Sequence, residues 1–280
     1  MGSELAIMND FNLAIVAADS TPAELVETLQ ETLGGRLRPY DLQRIVWPSG
    51  KTTSWEIPTV GGDTAPAKEI VAVPILTTVS RQFWERKSVG PDTTPPVCKS
   101  DDGERGEPTE RARELGATGD CRSCPLAQWG ANNTPPACKE RRELFLLMEG
   151  QYFPMVLSVP PSSVKVWKDF VKPLSLQGIA PWGTVVRLKL TTATNPNGDP
   201  YALLKLELVG KLPPEHRERL RQYREALTAT FRAGLEATRL ERNNPALVVS
   251  TTPSAAAPVV TTEPKRPEFN ELGEEMPLEE

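Results

Sequence analysis

A mainly β, α+β fold is what the sequence predicts, on three observations. Two stretches alternate as half-buried strands do. In Trp182 to Thr192, Val186, Leu188 and Leu190 oppose Arg187 and Lys189; in Tyr201 to Gly210, Leu204, Leu206 and Leu208 oppose Tyr201, Lys205 and Glu207. The β-rich run from Lys68 to Trp84 is longer than an ordinary strand, so it is expected to bend and serve two sides of one sheet. All four cysteines, Cys98, Cys121, Cys124 and Cys138, fall between that run and the next apolar strand.

The elements follow in order. Thr21-Pro22-Ala23-Glu24 reads as an N-cap with proline at the first helical position. Leu25, Val26, Leu29 and Leu33 fall at helical spacing, and Gly34-Gly35 stops a helix over 22–33. Residues 43–58 read as a hairpin of two short strands, Ile45 to Trp47 and Ser54 to Pro58, and the following Gly61-Gly62-Asp63 and Ala-Pro residues as a loop. After the cysteines, Leu144 to Met148 and Met155 to Val159 form a strand pair. A helix begins at Pro160-Pro161-Ser162-Ser163, carries Val164, Trp167, Phe170, Val171 and Leu174, and ends at Gly178. Asn195 to Asp199, with its Asn-Gly, turns the hairpin between the two alternating strands. Pro213-Pro214-Glu215 opens a long helix with Leu220, Tyr223, Leu227, Phe231 and Leu235 on one stripe.

Setting aside the first hairpin, the order is strand, strand, strand, helix, strand, strand. That is the order of the OB-fold, a five-stranded barrel, here with a cysteine module inserted after its first strand. A split α+β sheet has the same element order. The expected organisation is an N-terminal segment and helix (1–36), an OB-like core (37–212) with its insertion at 95–142, a C-terminal helix (213–242) and a disordered acidic tail (243–280).

The cysteines stand at C-x22-C-x2-C-x13-C. Tetrahedral zinc takes four thiolates, and the Cys121-Arg122-Ser123-Cys124 knuckle lets two of them approach one ion. The segment is poor in core residues, so metal binding is expected to order it. Unrelated free thiols are one alternative and two disulfides the other. Disulfides need an oxidising compartment, whereas MGSELAIMNDFNLAIV has no basic region before its apolar residues and does not read as an export signal. A soluble chain in the cytoplasm of a bacterial host, without membrane contact, is expected.

The net charge of −5 hides an asymmetry. Six glutamates follow Arg266 with no Lys or Arg among them, and removing them takes the net charge to +1. A near-neutral body with a separate acidic tail leaves nucleic-acid binding to local patches. Enzyme chemistry is disfavoured. Four thiolates close a zinc site and leave no position for an activated water. Neither a phosphate-binding P-loop nor a nucleophile elbow is present, and His216, the one histidine, sits at a helix start.

The runs Pro95 to Gly103, Gly119 to Gly130 and Ala137 to Arg142 resemble a zinc-binding family of bacteriophages and mobile elements whose function is not established. The likeness covers residues 20–240, with Val159-Pro160-Pro161-Ser162-Ser163 at the family's helix start. More loosely, the layout is similar to phage single-stranded-DNA-binding proteins with a zinc insertion in an OB-fold and an acidic tail. This chain lacks their histidine ligand, so no individual DNA contact carries over.

Single-stranded DNA is held by cations tracking phosphates and aromatics stacking on bases. Expected phosphate contacts are Arg81, Arg86, Lys139, Arg141, Arg142, Arg187, Lys189 and Lys205; Arg44 and Lys87 are further candidates. Expected stacking residues are Trp84 and Tyr201, with Trp55, Phe83 and Trp129 also candidates and Trp47, Trp167 and Trp182 reading rather as core. The face shared by Arg187, Lys189, Tyr201 and Lys205 is the strongest cluster. Phe269, Met276 and Leu278 in the acidic tail are expected to recruit replication or recombination proteins, or the tail to compete with DNA. The alternative is a zinc-stabilised adaptor that binds a host or phage replication or transcription factor.

Overall fold

The computed structural model describes residues 6–85 and 95–243. Two helices, α1 (Ala14–Ala17) and α2 (Pro22–Thr32), precede β1 (Arg44–Ile45), β2 (Trp55–Pro58), β3 (Thr64–Ala67) and the long β4 (Glu69–Phe83). The cysteine segment holds β5 (Cys98–Ser100), β6 (Glu107–Pro108) and α3 (Glu110–Glu114). Then come β7 (Lys139–Met148), β8 (Met155–Val159), α4 (Pro161–Leu176), β9 (Thr184–Thr194), β10 (Pro200–Lys211) and α5 (Pro214–Asn243). The architecture is mixed α+β: a curled sheet, a half-barrel, with helices against it.

β4 organises the sheet. Its first residues pair with β9 (Glu69↔Lys189 to Ala72↔Val186), its length with β7 (Ala72↔Met148 to Gln82↔Lys139) and its end with β5. The register slips between Pro74 and Leu76, where the proline has no N–H for the ladder. The expected bend in this run is therefore present. β8 pairs with β7, and its other edge takes β1 in parallel (Arg44↔Val156). β10 pairs with β9, and among the described residues no ladder joins β10 to β8.

Two local readings are corrected. Residues 43–58 are not one hairpin: among the described residues, Val46↔Glu56 is the only bridge between its halves. Trp55–Pro58 instead turns at Gly62, which has φ +87°, and pairs forward with Thr64–Ala67, the stretch expected to be a loop. The strand expected at Leu144 begins five residues earlier, at Lys139, because each charged residue of Lys-Glu-Arg-Arg-Glu is matched to a residue of β4.

β7 is buried on both faces. Phe145 and Leu147 enter a core with Val73, Ile75, Val156 and, from α5, Leu220, Tyr223, Leu227 and Phe231. Leu144 and Leu146 enter another with Ile70, Leu157, Val186, Leu188, Trp55 and Trp167 of α4. Each large side chain so placed contributes about 1.5–3 kcal/mol. This double burial explains the unbroken apolar run Leu144 to Met148. The expected helix starts hold: Thr21 Oγ1 accepts from Glu24 N–H and Glu24 Oε2 from Thr21 N–H at 2.7 Å, a reciprocal cap.

Phe11, Leu13 and Ile15 lie in the first core, so the N-terminal segment is part of the body. The chain divides into two compact units, Met1–Glu236 and Ala237–Glu280, and α5 crosses the boundary. Asn243 is still helical; the rest of the expected tail, with Phe269, Met276 and Leu278, lies outside the described residues. Among the described residues no helix is long and apolar enough to cross a membrane.

Candidate metal centre and the cleft beside it

The cysteine segment folds over the end of β4. Gly103, at φ +73°, lies so close that a Cβ there would come within 2.6 Å of Val79 Cγ1. Gly106 N–H donates to Gly119 O at 2.7 Å, Cys121 N–H to Glu104 O at 2.9 Å and Cys138 N–H to Leu126 O at 2.8 Å. Asp120 accepts from Arg122 N–H and Ser123 Oγ and so shapes the knuckle. A small core of Phe83, Ala112, Ala117 and Cys138 lies beneath.

None of the four cysteines is in a disulfide, and all but Cys98 are buried. The thiols of Cys98 and Cys121 converge. A Cβ on Gly106 would lie 3.2 Å from Cys98 Sγ and 3.5 Å from Cys121 Sγ, so both sulfurs border one point and only glycine leaves it open. Burial, then the nearby Cys121 and Cys124, push the Cys98 thiol up to about 11. Burial pushes Cys138 up to about 11 as well, with Arg81 opposing and the other three cysteines adding. Cys121 is raised by burial against the Ser100 hydroxyl and Arg81. Among the described residues, no group of three or more His, Cys, Asp or Glu side chains is close enough to hold a metal ion as it stands. The thiols thus share one space without the spacing of a closed tetrahedral site.

A cleft of about 510 Å³ opens between this segment and α4, walled by Arg81, Trp129, Pro135, Pro136, Lys139, Glu140 and Lys168 among others. Trp129 is 68% exposed, an unusual cost in apolar surface for so large a ring. Its loop is held by Gly130 N–H donating to Thr134 O at 2.9 Å and passes through Asn132 and Asn133, both at φ 56°, a region asparagine tolerates. On the floor, Glu140 alone meets three cations: Lys168 at 3.0 Å, Arg142 at 3.1 Å and Arg81 at 3.1 Å. Burial pushes the Glu140 carboxyl up, but Lys168, Arg142 and Arg81 together outweigh it and hold it below its usual range. Arg81 and Arg142 each keep a buried Nε with no hydrogen-bond partner among the described residues. Lys139 donates to Pro136 O at 2.6 Å.

The hairpin cluster assembles, but not as a bare basic face. Lys189 lies opposite Lys205, and Arg187 opposite Glu207. Glu69 of β4 reaches Lys189 at 3.3 Å and Arg187 at 3.5 Å, while Glu207 meets Lys205 at 3.0 Å. Two carboxylates therefore sit among three cations. Tyr201, opposite Ala193, is on the same face but four residues from Lys205, about 14 Å along the strand.

The remaining expected residues are dispersed. Arg141 lies on the other face of β7 and donates to Ser158 Oγ at 3.1 Å. Arg44 is paired with Glu143 at 3.0 Å. Trp84 is half-buried at the end of β4; Arg86 and Lys87 lie outside the described residues. Trp55 and Phe83 are buried and cannot stack on a base, and Trp47 packs edge-on against Trp55 at 5.2 Å. Lys168 was not expected at the site. The sequence places it on the polar side of a helix, and only the docking of α4 on β7 brings it to Glu140.

Compared with protein-family models, with curated proteins and with solved structures, the chain shows no match.

Proposed function

We propose that the chain binds single-stranded DNA, as a protein of a phage or mobile element acting in replication or recombination. The observation that carries this reading is the cleft, where an exposed indole stands beside Arg81, Lys139 and Lys168 with a single carboxylate among them. A base stacks on the ring while its phosphates meet the cations. The element order supports it: β4, β7, β8, α4, β9 and β10 follow the OB order, read here as a barrel left open between β8 and β10. The cysteine segment then occupies the loop between the first two barrel strands, one of the loops that bind oligonucleotides in such folds.

In this reading one zinc ion, held by Cys98, Cys121, Cys124 and Cys138, staples the segment and so fixes Trp129. The approach of the Cys98 and Cys121 thiols to one point at Gly106 supports the assignment. Because the bound form needs thiolates, zinc uptake releases protons and strengthens as pH rises. Phe269, Met276 and Leu278 of the acidic tail would recruit partner proteins. A second reading, an adaptor, draws on the prolines that flank Trp129, Pro135 and Pro136, which would suit a protein partner as well as a base.

A salt titration on zinc-loaded protein tests the first reading. Anisotropy of a labelled oligo-dT should show binding at low salt that weakens with a log–log slope of about −0.7 per phosphate contact, and duplex of the same length should bind less well. No binding at low salt removes the DNA reading and leaves the adaptor.

A further inference from the structure

The face of β7 turned away from the cleft carries a second polar cluster that the proposed function does not use. Alternation along the strand sends Arg141 and Glu143 to the side opposite Glu140 and Arg142. Register then sets Ser80 and Thr78 of β4 against Arg141 and Glu143, Ser158 of β8 against Glu143, and Arg44 on β1 at the level of Val156. Four adjacent strands thus each give a polar residue to one spot.

Glu143 is saturated there. Ser80 Oγ donates to its Oε1 at 2.6 Å and Ser158 Oγ at 2.9 Å, and Arg44 Nη2 donates to its Oε2 at 3.0 Å. Arg141 is not saturated. Its one side-chain hydrogen bond among the described residues goes to the Ser158 hydroxyl at 3.1 Å, and that hydroxyl in turn donates to Glu143. Burial disfavours its charged form, Glu143 works against this, and Arg44 adds to it. Across the ladder from Glu143, Thr78 Oγ1 is buried with no partner among the described residues. The cluster holds two guanidiniums and one carboxylate, so it carries one unmatched positive charge. A half-buried guanidinium with donors to spare, near a buried hydroxyl that has no partner among the described residues, is an arrangement that an anion can complete.

We propose that Arg141, with Arg44 and Thr78, forms a phosphate-group site on this face of the sheet, separate from the Trp129 cleft. A tetrahedral oxyanion suits it. The Arg141 fork can meet two oxygens, the Thr78 hydroxyl can donate to a third, and the net charge of the site is of the right sign. The phosphate group is either free or part of a nucleic-acid backbone. The second source rests on the proposed DNA binding; the first does not.

Titration calorimetry of the full-length protein with inorganic phosphate, run beside oligo-dT salt titrations, tests the site. Arg141→Gln, Thr78→Val and Lys168→Gln are compared with the wild type, and thermal melts report folding. If free phosphate is the ligand, wild type and Lys168→Gln bind it. Arg141→Gln then weakens binding by about tenfold or more, as loss of a charged hydrogen-bonding pair does. Thr78→Val, which keeps shape and charge, weakens it severalfold and covers the case in which Arg141→Gln fails to fold. If the backbone is the ligand, Arg141→Gln lowers the oligo-dT salt slope by about 0.7. Phosphate binding lost in Arg141→Gln, in a protein that does not bind oligo-dT, removes the DNA reading and leaves this site standing. The proposal is overturned if the folded variants neither weaken phosphate binding nor change the oligo-dT slope.

Discussion

Two regions of the molecule gather cations, and they differ in what lies between them. On the β9–β10 hairpin, Arg187, Lys189 and Lys205 alternate with Glu69 and Glu207, which are arranged so that each cation has a carboxylate within 4 Å. Under the cysteine segment, Arg81, Arg142 and Lys168 share the single Glu140, Lys139 stands beside them, and an exposed tryptophan adjoins. The first region is a solvated sheet face whose charges answer one another, and such exposed pairs are worth about 0–1 kcal/mol each. The second keeps positive charge in excess and an unburied ring. Counting lysines and arginines, three on the hairpin and four in the cleft, hardly separates the two; pairing does.

The largest test of this difference is aromatic. Trp129→Ala should weaken oligo-dT binding by about 1–3 kcal/mol, or roughly 5- to 150-fold, the worth of one stacked base. Tyr201→Ala, on the hairpin, should leave it unchanged, as read by fluorescence anisotropy at one fixed salt concentration. The reverse ranking would move the interface to the hairpin and undo the contrast.

Much of the frame was legible from residue order, because the physics that sets it is local. The alternation of Val186 with Arg187 and Leu188 with Lys189, the Asn195 to Asp199 turn, and the Thr21 and Glu24 cap each lie within a few residues of chain. The length of the run from Glu69 to Phe83 was itself the sign that it serves several partners. What was not legible is non-local. Trp55 and Trp129 are both tryptophans near loops, yet one is fully buried and the other 68% exposed. Which of them stacks depends on whether α4 and the neighbouring strands cover it, as they do Trp55. Likewise, Arg187 and Lys189 looked like a bare basic face because Glu69, which answers them, lies more than a hundred residues away in sequence. The approach of the Cys98 and Cys121 thiols to one point turns on the glycine at 106, which leaves room between them and which the cysteine spacing did not announce.

A smaller effect separates the regions by charge alone. Arg81→Gln or Lys168→Gln should each reduce the magnitude of the oligo-dT salt slope by about 0.7, the share of a single neutralised phosphate. Lys189→Gln should leave the slope as it was, because Glu69 and Glu207 already hold that ammonium. An equal reduction at both places would mean that the pairing on the hairpin opens when DNA arrives, and that the two faces are one surface.

The smallest expected effect lies in Glu140 itself. Its folded carboxyl titrates below the ordinary value of 4.5 because three cations favour its charged form. The stability it contributes is therefore fully present above about pH 4.5 and is lost as pH falls through the lower folded value. Glu140→Gln should destabilise the protein slightly at neutral pH, by about 1 kcal/mol or less. The gap between variant and wild type in thermal melts should close as the pH is lowered from 6 towards 3. The same substitution leaves Arg81, Arg142 and Lys168 without their shared partner, so oligo-dT should bind more tightly even as the fold loosens. Glu207→Gln on the hairpin should do neither. Its carboxyl is also held low, first by Lys205 and then by Lys189, but it is exposed to solvent that screens both. Opposite signs for stability and affinity at Glu140 are what a binding site produces. A fall in both would make the cleft cations a structural cluster.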